Sequence, residues 1–165
     1  MKKLIIDFKD PSEKGQWERM NDVVMGGVSG SRFTVEEGIA VFQGEVSLEN
    51  YGGFASIRSL LRDFGLDGYN GLIVRVRGDG KSYRLRLRTD DEYDGIAYQA
   101  VFQTDPGEWI SVRLPFSGFV PVFRGRIVPG APPLSPDRIR RVGFMIADRQ
   151  EGQFLLEIDG VEAYA

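Results

Sequence analysis

Hydrophobic and polar residues alternate over much of this chain, which is the pattern of β-strands that bury one face and expose the other. The alternation is strongest in LIVRVR (72–77) and YRLRLRT (83–89). Gly78-Asp79-Gly80 lies between them and offers an Asp-Gly pair for a tight turn, so the two segments are predicted to form a β-hairpin. Further strands are predicted at 4–8, 39–42, 54–58, 97–103, 109–114, 142–147 and 154–164.

Helical patterns are confined to short segments. Residues 12–18 begin with Ser12, a residue type that caps helices, and residues 135–139 are predicted to form a turn with Pro136 in its first position. Neither segment is long enough to connect parallel strands. The sequence therefore predicts an all-β fold, an antiparallel β-sandwich of jelly-roll type, in a single domain over residues 1–165.

The amino-acid composition excludes several kinds of catalytic and metal-binding site. The chain contains neither cysteine nor histidine, which excludes disulfides, thiolate metal sites and Ser-His or Cys-His nucleophiles. A formal net charge of -3 argues against a general nucleic-acid binder. The apolar run after the two N-terminal lysines stops at Asp7, and no apolar run approaches the ~20 residues that span a bilayer. We expect an intracellular protein without membrane insertion and without a cofactor.

A glycine-rich stretch, NDVVMGGVSGS (21–31), is the first candidate binding segment. Its glycines do not follow the spacing of a dinucleotide-binding loop. Asn21 or Asp22 can form an Asx-turn, so the residues themselves favour a structural loop, with a ligand-contacting loop as the alternative. Trp17 lies just before this stretch, where an exposed indole could stack on a sugar or on a partner side chain.

Arginines on the predicted hairpin are the second candidate. If the two strands pair, the side chains of Arg75, Arg77, Arg84, Arg86 and Arg88, together with Arg113 on another strand, share one face that Gln99 and Gln103 cross. One interpretation is a solvated outer face balanced by nearby acids. The other is a docking surface for an acidic protein segment, an anionic glycan or RNA.

Several uncommon motifs occur in order along the chain. They are Trp17 followed by NDVVMGGVS (21–29), then FQGEVSLENYGGFASIR (42–58), RGDGKSY (77–83), LPF (114–116), FRGR (123–126) and GFMIADRQEG (143–152). In these motifs the chain resembles the complex I intermediate-associated protein family over almost its whole length.

The resemblance implies a galactose-binding-like β-sandwich related in shape to carbohydrate-binding modules. It also implies a role in assembling respiratory complex I, because mitochondrial members of the family act as chaperones rather than as catalysts. The chain looks like the bare domain without a targeting leader, which indicates a bacterial relative located in the cytoplasm.

We therefore expect a non-enzymatic protein-interaction domain whose partners are protein subunits of a membrane or redox complex. The candidate partner- or ligand-binding residues are Trp17, Asn21, Asp22, Met25, Arg58, Arg75, Arg77, Arg84, Arg86, Arg88, Gln99, Arg124, Arg126 and Asp148.

Three alternatives remain open at this stage. A carbohydrate-binding module would bind a glycan at the sandwich rim or on a concave face. A hydrolase without histidine would need two carboxylates across a cleft, for which Glu45, Glu49, Asp148 and Glu157 are available. A structural calcium ion could join the terminal strands through Asp7 or Asp159, by analogy with related sandwiches.

Overall fold

The computed structural model describes residues 1–21, 30–47, 53–90, 95–147 and 150–165, and within them the chain is almost entirely β-structure. The strands are β1 (Lys2–Asp7), β2 (Trp17–Asn21), β3 (Gly30–Glu36), β4 (Ile39–Val46), β5 (Ala55–Ser59), β6 (Gly71–Arg77), β7 (Ser82–Arg88), β8 (Ala97–Gln103), β9 (Trp109–Pro115), β10 (Val120–Phe123), β11 (Arg126–Ile127), β12 (Arg141–Ile146) and β13 (Gly152–Tyr164). Short 3-10 turns occupy Lys14–Gln16, Phe116–Gly118 and Pro136–Arg138.

The strands form two sheets. Sheet A has the order β3-β4-β13-β6-β9, with β1 also paired to β13, and sheet B has the order β11-β10-β8-β7-β12-β5-β2. The paired strands of both sheets run antiparallel wherever the structure describes them. The predicted antiparallel β-sandwich is confirmed.

Strand β13 lies at the centre of sheet A. Along one edge its first half pairs with β4 and its second half with β1, while its other edge pairs with β6. The register shifts between Ile158 and Gly160, where a bulge separates the two halves. β13 is therefore the strand through which β1, β4 and β6 are held together in sheet A.

The hydrophobic core lies between the sheets and follows from the alternation in the sequence. Val74 and Val76 on β6 are fully buried, as are Leu85 and Leu87 on β7. Trp17 joins this core, packing on Phe8, Phe33 and Phe144 with ring centroids 5.6, 6.0 and 6.2 Å away. The apolar faces of the alternating strands are thus the inner faces of the sandwich.

The predicted hairpin between β6 and β7 is wrong. β6 pairs with β13 and β9 in sheet A, whereas β7 pairs with β8 and β12 in sheet B, so the segment between them crosses from one sheet to the other. Asp79 holds this crossing, because its carboxylate accepts hydrogen bonds from the Lys81 and Leu155 amides and from the Tyr83 hydroxyl. The Asp-Gly sequence turns the chain, but the hydrogen bond that Asp79 accepts from the Leu155 amide of β13 sets the direction in which the chain leaves the turn.

The predicted helix at residues 12–18 is also wrong. Only Lys14–Gln16 forms a 3-10 turn, and β2 begins at Trp17 because its backbone is extended, with φ -128° and ψ 146°. The predicted turn around Pro136 is confirmed as a 3-10 turn.

Candidate functional site

Five neighbouring strands of sheet B place a line of polar residues across its outer face. Gly143 on β12 lies opposite Arg86 on β7 and opposite Arg58 on β5. Gln99 on β8 extends the line beyond Arg86, and Glu18 on β2 extends it beyond Arg58. Directly opposed residues of an antiparallel pair share a face, so these five positions point the same way. The buried neighbours on each strand face the core, so the line faces outward.

Gly143 lets the arginine-bearing strands approach each other. A Cβ atom at this position would lie 2.8 Å from the carbonyl oxygen of Ile57 and 3.2 Å from the Cβ of Arg58. The first distance is closer than side-chain carbons approach backbone oxygens. The glycine therefore leaves room for Arg58 to lie against β12.

Glu18 holds two arginines through one carboxylate oxygen. Arg58 Nε donates to Glu18 Oε1 at 2.7 Å, and Arg141 Nη1 donates to the same atom at 3.1 Å. Arg141 Nη1 also donates to the carbonyl oxygen of Ser59 at 3.1 Å. The Arg58 and Arg141 side chains are only 8% and 11% exposed, against 37% for Glu18. One carboxylate oxygen of the half-exposed Glu18 thus contacts two nearly buried guanidinium groups.

The remaining arginines of β7 enlarge the positive surface. Arg84 donates to Gln99 Oε1 at 3.4 Å, and Arg88 donates to the carbonyl oxygen of Gly95 at 2.8 Å. Arg88 lies directly opposite Arg141, an arrangement of like charges that destabilises a sheet unless other bonds offset it. We call Arg58, Arg84, Arg86, Arg88 and Arg141 the cationic face.

The structure divides the predicted arginine face into two. Arg75 and Arg77 lie on β6 and Arg113 lies on β9, both strands of sheet A, so they occupy the opposite outer surface of the sandwich from Arg84, Arg86 and Arg88. The single face was wrong because it depended on the β6–β7 hairpin. Arg58 and Gln99, in contrast, do lie in one line with Arg86.

Trp17 is not an exposed stacking residue. It is 8% exposed, and its indole N–H donates to Glu13 Oε2 at 3.0 Å within the core. Glu13 also accepts from Arg62 Nη2 at 2.6 Å, so the carboxylate is held from two sides. The prediction placed the ring in a loop, whereas Trp17 begins a strand whose inner face is buried.

Other predicted site residues lie elsewhere. Arg124 and Arg126 are exposed at the turn between β10 and β11, on the edge of sheet B, with β12, β7, β8 and β10 between them and Arg58. Asn21 ends β2. The predictions on Asp22, Met25 and Asp148, and on the side chain of Asn21, lie outside the described residues.

Sequence reasoning missed Glu18, Arg141 and Gly143. Glu18 and Arg141 are ordinary charged residues at strand ends, and nothing local shows that they meet. Gly143 carried a weak signal, since a glycine inside an apolar strand often marks a close approach of two backbones.

The carboxylate-pair hypothesis finds no support in the described residues that bear on it. Glu157 is held by two hydrogen bonds from Arg77. Glu45 lies opposite Gln153, which puts it roughly 13 Å along β13 from Glu157, beyond the separation used by glycosidases. Glu49 and Asp148 lie outside the described residues.

Asp7 and Asp159 are the residues of the calcium prediction. Lys9 Nζ donates to Asp159 Oδ1 at 2.6 Å, and this bond raises the pKa of Lys9. A calcium ion on Asp159 would have to displace that ammonium group. In the described parts of the chain, no group of three or more acidic side chains is arranged to hold a metal ion.

The fold belongs to a recognisable class, the β-sandwich of carbohydrate-binding-module type. The family 11 carbohydrate-binding module of a cellulosomal cellulase from Clostridium thermocellum superposes with a TM-score of 0.73 over 100% of this chain and 95% of that one, at 17% identity. A family 29 module superposes with a TM-score of 0.57 at 12% identity, over 99% of this chain and 91% of that one. At these identities the likeness shows the fold alone.

Sequence comparison supplies the family. A sequence model of the complex I intermediate-associated protein 30 family matches residues 6–158, and the chain belongs to this family. The mitochondrial complex I intermediate-associated protein 30 of Drosophila melanogaster is 33% identical over 96% of this chain and 61% of its own length. The mouse protein of the same name is 35% identical over 58% of this chain and 30% of its own.

The resemblance seen in the motifs is therefore confirmed, and the chain spans about three fifths of the fly relative and less of the mouse relative. Both relatives are named as mitochondrial proteins, while a cytoplasmic location for this chain stays a prediction. Where the chain is described, it forms no helix with the length and apolar character needed to cross a bilayer.

Proposed function

We propose that this chain is a non-catalytic protein-binding domain that acts in the assembly of a multi-subunit complex of the respiratory complex I type. Membership of the complex I intermediate-associated protein 30 family supports the assembly role. We further propose that the cationic face of sheet B holds the partner, and that the partner presents an acidic segment.

The line Gln99–Arg86–Gly143–Arg58–Glu18 is the observation that carries this assignment. Its two arginines, Arg86 and Arg58, lie on β7 and β5, and each of these strands is paired on both sides, which fixes the direction of the arginine. Guanidinium groups bind carboxylates through two parallel hydrogen bonds, which gives geometric selectivity as well as attraction. Arg84, Arg86 and Arg88, at alternate positions of β7, form the more exposed row that suits an extended acidic segment, whereas Arg58 and Arg141 beside them are nearly buried.

Glycan binding finds less support on this face. Sugar-binding surfaces use aromatic side chains, and none projects outward from sheet B in the part of the cationic face that the structure describes. The carbohydrate-binding modules share only the fold with this chain, so glycan binding there stays a prediction.

Affinity capture from the native host tests the proposal. The tagged chain is compared with an Arg84→Glu/Arg86→Glu variant and with a matched Arg113→Ala control on sheet A, at low and at moderate salt. We expect complex I subunits with the wild-type chain and the control, reduced by salt and lost with the double variant. If the wild-type chain recovered no complex I subunits, the assigned partner would be rejected. If the double variant recovered them as well as the wild type, the assigned face would be rejected.

A further inference from the structure

A groove of about 650 Å³ lies on the outer face of sheet A, away from the cationic face. Trp109 on β9, Arg77 on β6, Glu157 on β13 and Val41 on β4 lie opposite one another in register and form its floor. A volume of this size is in the range of small-molecule sites, ~300 to 1,000 Å³. Four adjacent strands of sheet A therefore build the floor of the groove.

The charges on the floor are paired with each other. Arg77 donates from Nε and Nη2 to the two oxygens of Glu157, both at 2.9 Å, and this hydrogen bonding to Glu157 raises the pKa of Arg77. Arg75 Nε lies 3.6 Å from Asp159 Oδ2. A charged ligand would have to compete with these pairs, whereas a neutral ligand would leave them intact.

The paired groups keep hydrogen-bonding capacity. A guanidinium has five N–H donors and a carboxylate about four acceptor sites, so the Arg77–Glu157 pair retains both free donors and free acceptors. These donors and acceptors stand side by side on one surface. A hydroxyl group donates and accepts at once, so vicinal hydroxyls match this arrangement.

Trp109 adds an apolar surface to the same floor. The guanidinium groups of Arg75 and Arg77 lie over its ring, with their Cζ atoms 5.6 and 5.1 Å from the centroid, and this contact holds the indole in place. The ring is half-buried, so the accessible part is the part that these groups do not cover. An aromatic ring beside closely spaced donors and acceptors fits a ligand with one apolar C–H face and several hydroxyls.

The rim disfavours anions. Glu36 and Glu37 border the groove at the turn between β3 and β4, where Glu37 adopts φ 52°. Their carboxylates would repel a phosphate or an acidic sugar, and Arg75 and Arg77 do not offset this repulsion because they are already paired with Asp159 and Glu157. A neutral ligand avoids the repulsion and leaves the pairs intact.

We propose that this groove binds a neutral oligosaccharide, with a sugar ring against Trp109 and its hydroxyls on the Arg77–Glu157 and Arg75–Asp159 pairs. The site is separate from the cationic face and does not depend on the assembly role. It would give the domain a second ligand on its opposite surface.

Titration with a panel of neutral tetrasaccharides tests the proposal, using cello-, laminari-, malto- and xylotetraose up to about 10 mM, which detects millimolar affinity. Binding is followed by calorimetry and by ring-current shifts of the sugar C–H protons. We expect at least one sugar to bind, Trp109→Phe to weaken it only a few-fold, and Trp109→Ala to weaken it at least about tenfold. Thermal unfolding checks that each variant folds. If Trp109→Ala does not fold, the ring-current shift measured with the wild-type protein still tests the contact between the sugar and Trp109.

Three results would overturn the proposal: no binding by the whole panel, binding unchanged in folded Trp109→Ala with no ring-current shift, or tighter binding of tetragalacturonate or of a chitosan tetramer. The Arg84→Glu/Arg86→Glu variant should bind the sugar as the wild type does. Loss of sugar binding in that variant would also count against a separate site. The two proposals can therefore fail independently.

Discussion

Trp17 donates its indole N–H to Glu13, a carboxylate that lies four positions earlier in the chain, at 3.0 Å inside the core. Glu13 is only 6% exposed, and its second strong contact comes from Arg62. A buried carboxylate with two donors is stable only while both remain, because an unpaired buried charge is costly. The 3-10 turn before β2 is thus fixed to the core through one side chain.

Replacing Glu13 by Gln should destabilise the domain. The amide keeps an acceptor for Trp17 but loses the charge that holds Arg62, and we expect a loss of about 1 to 3 kcal/mol in the free energy of unfolding. Denaturant unfolding measures it, with the exposed Glu108→Gln as the matched control. Equal stability of the two variants would contradict this account of Glu13.

Replacing Gly143 by Ala should destabilise sheet B. The added methyl group would meet the Ile57 carbonyl oxygen at 2.8 Å, so β12 and β5 would have to separate, at a cost of about 1 to 3 kcal/mol. Gly118→Ala is the control, because there the nearest atom, on Pro115, is 3.9 Å from the new carbon. If thermal unfolding found Gly143→Ala as stable as Gly118→Ala, the close approach of the strands would not limit this position.

Tyr83 should make the domain sensitive to alkaline pH. Burial, with a further contribution from Asp79, raises the pKa of its hydroxyl above the ordinary value of 10.0. The folded state therefore favours the protonated form, and this stabilisation is complete below pH 10 and is lost progressively as the pH rises above it.

The Tyr83→Phe variant isolates that contribution. It should be less stable than the wild type by about 1 to 2 kcal/mol at pH 7, because the hydrogen bonds to Asp79 and to the Leu155 carbonyl are lost. Above pH 10 the difference should shrink. Unfolding curves from pH 7 to pH 11 check both statements, and a constant difference over that range would show that Tyr83 does not titrate as inferred.

Arg58 and Arg141 should be energetically coupled through Glu18. Each single alanine variant leaves Glu18 with one arginine, whereas the double variant leaves it with neither, so the double variant should lose more stability than the sum of the singles by at least about 0.5 kcal/mol. A double-mutant cycle measures this coupling. Arg141→Ala combined with Arg75→Ala, on the other sheet, should be additive, and additivity of the Arg58 pair as well would contradict the shared carboxylate.

Most of the described strands were predicted from the sequence, but β2, β3, β10 and β11 were missed, and the pairing of the strands was not predicted. Alternation in β6, β7 and β13 reports which side chains are buried, and that depends on local order alone. Pairing depends on contacts between distant segments, which is why β6 and β7 were joined across Gly78-Asp79-Gly80 when Asp79 in fact bonds to β13. Whether a segment forms a strand depends mostly on its own sequence, whereas the order in which the strands pair depends on segments far apart in the chain.

The candidate site shows the same limit. Arg58, Arg86 and Gln99 were identified by residue type, and the register brings them into one line. Glu18 and Arg141 become recognisable only once β2, β5 and β12 lie side by side. Trp17 was misplaced because a tryptophan beside a glycine-rich stretch gives no local sign of whether its ring faces the core.

The central position of β13 has a consequence for how the chain folds. Strands β1, β4 and β6 all pair with it, and they precede it in the sequence. During synthesis sheet A therefore cannot close until β13 has left the ribosome, and until then the apolar sides of β4 and β6 stay exposed. Contacts of such long sequence separation slow folding and expose nascent chains to aggregation. A domain proposed to help other subunits assemble would itself spend the longest part of its synthesis in need of protection.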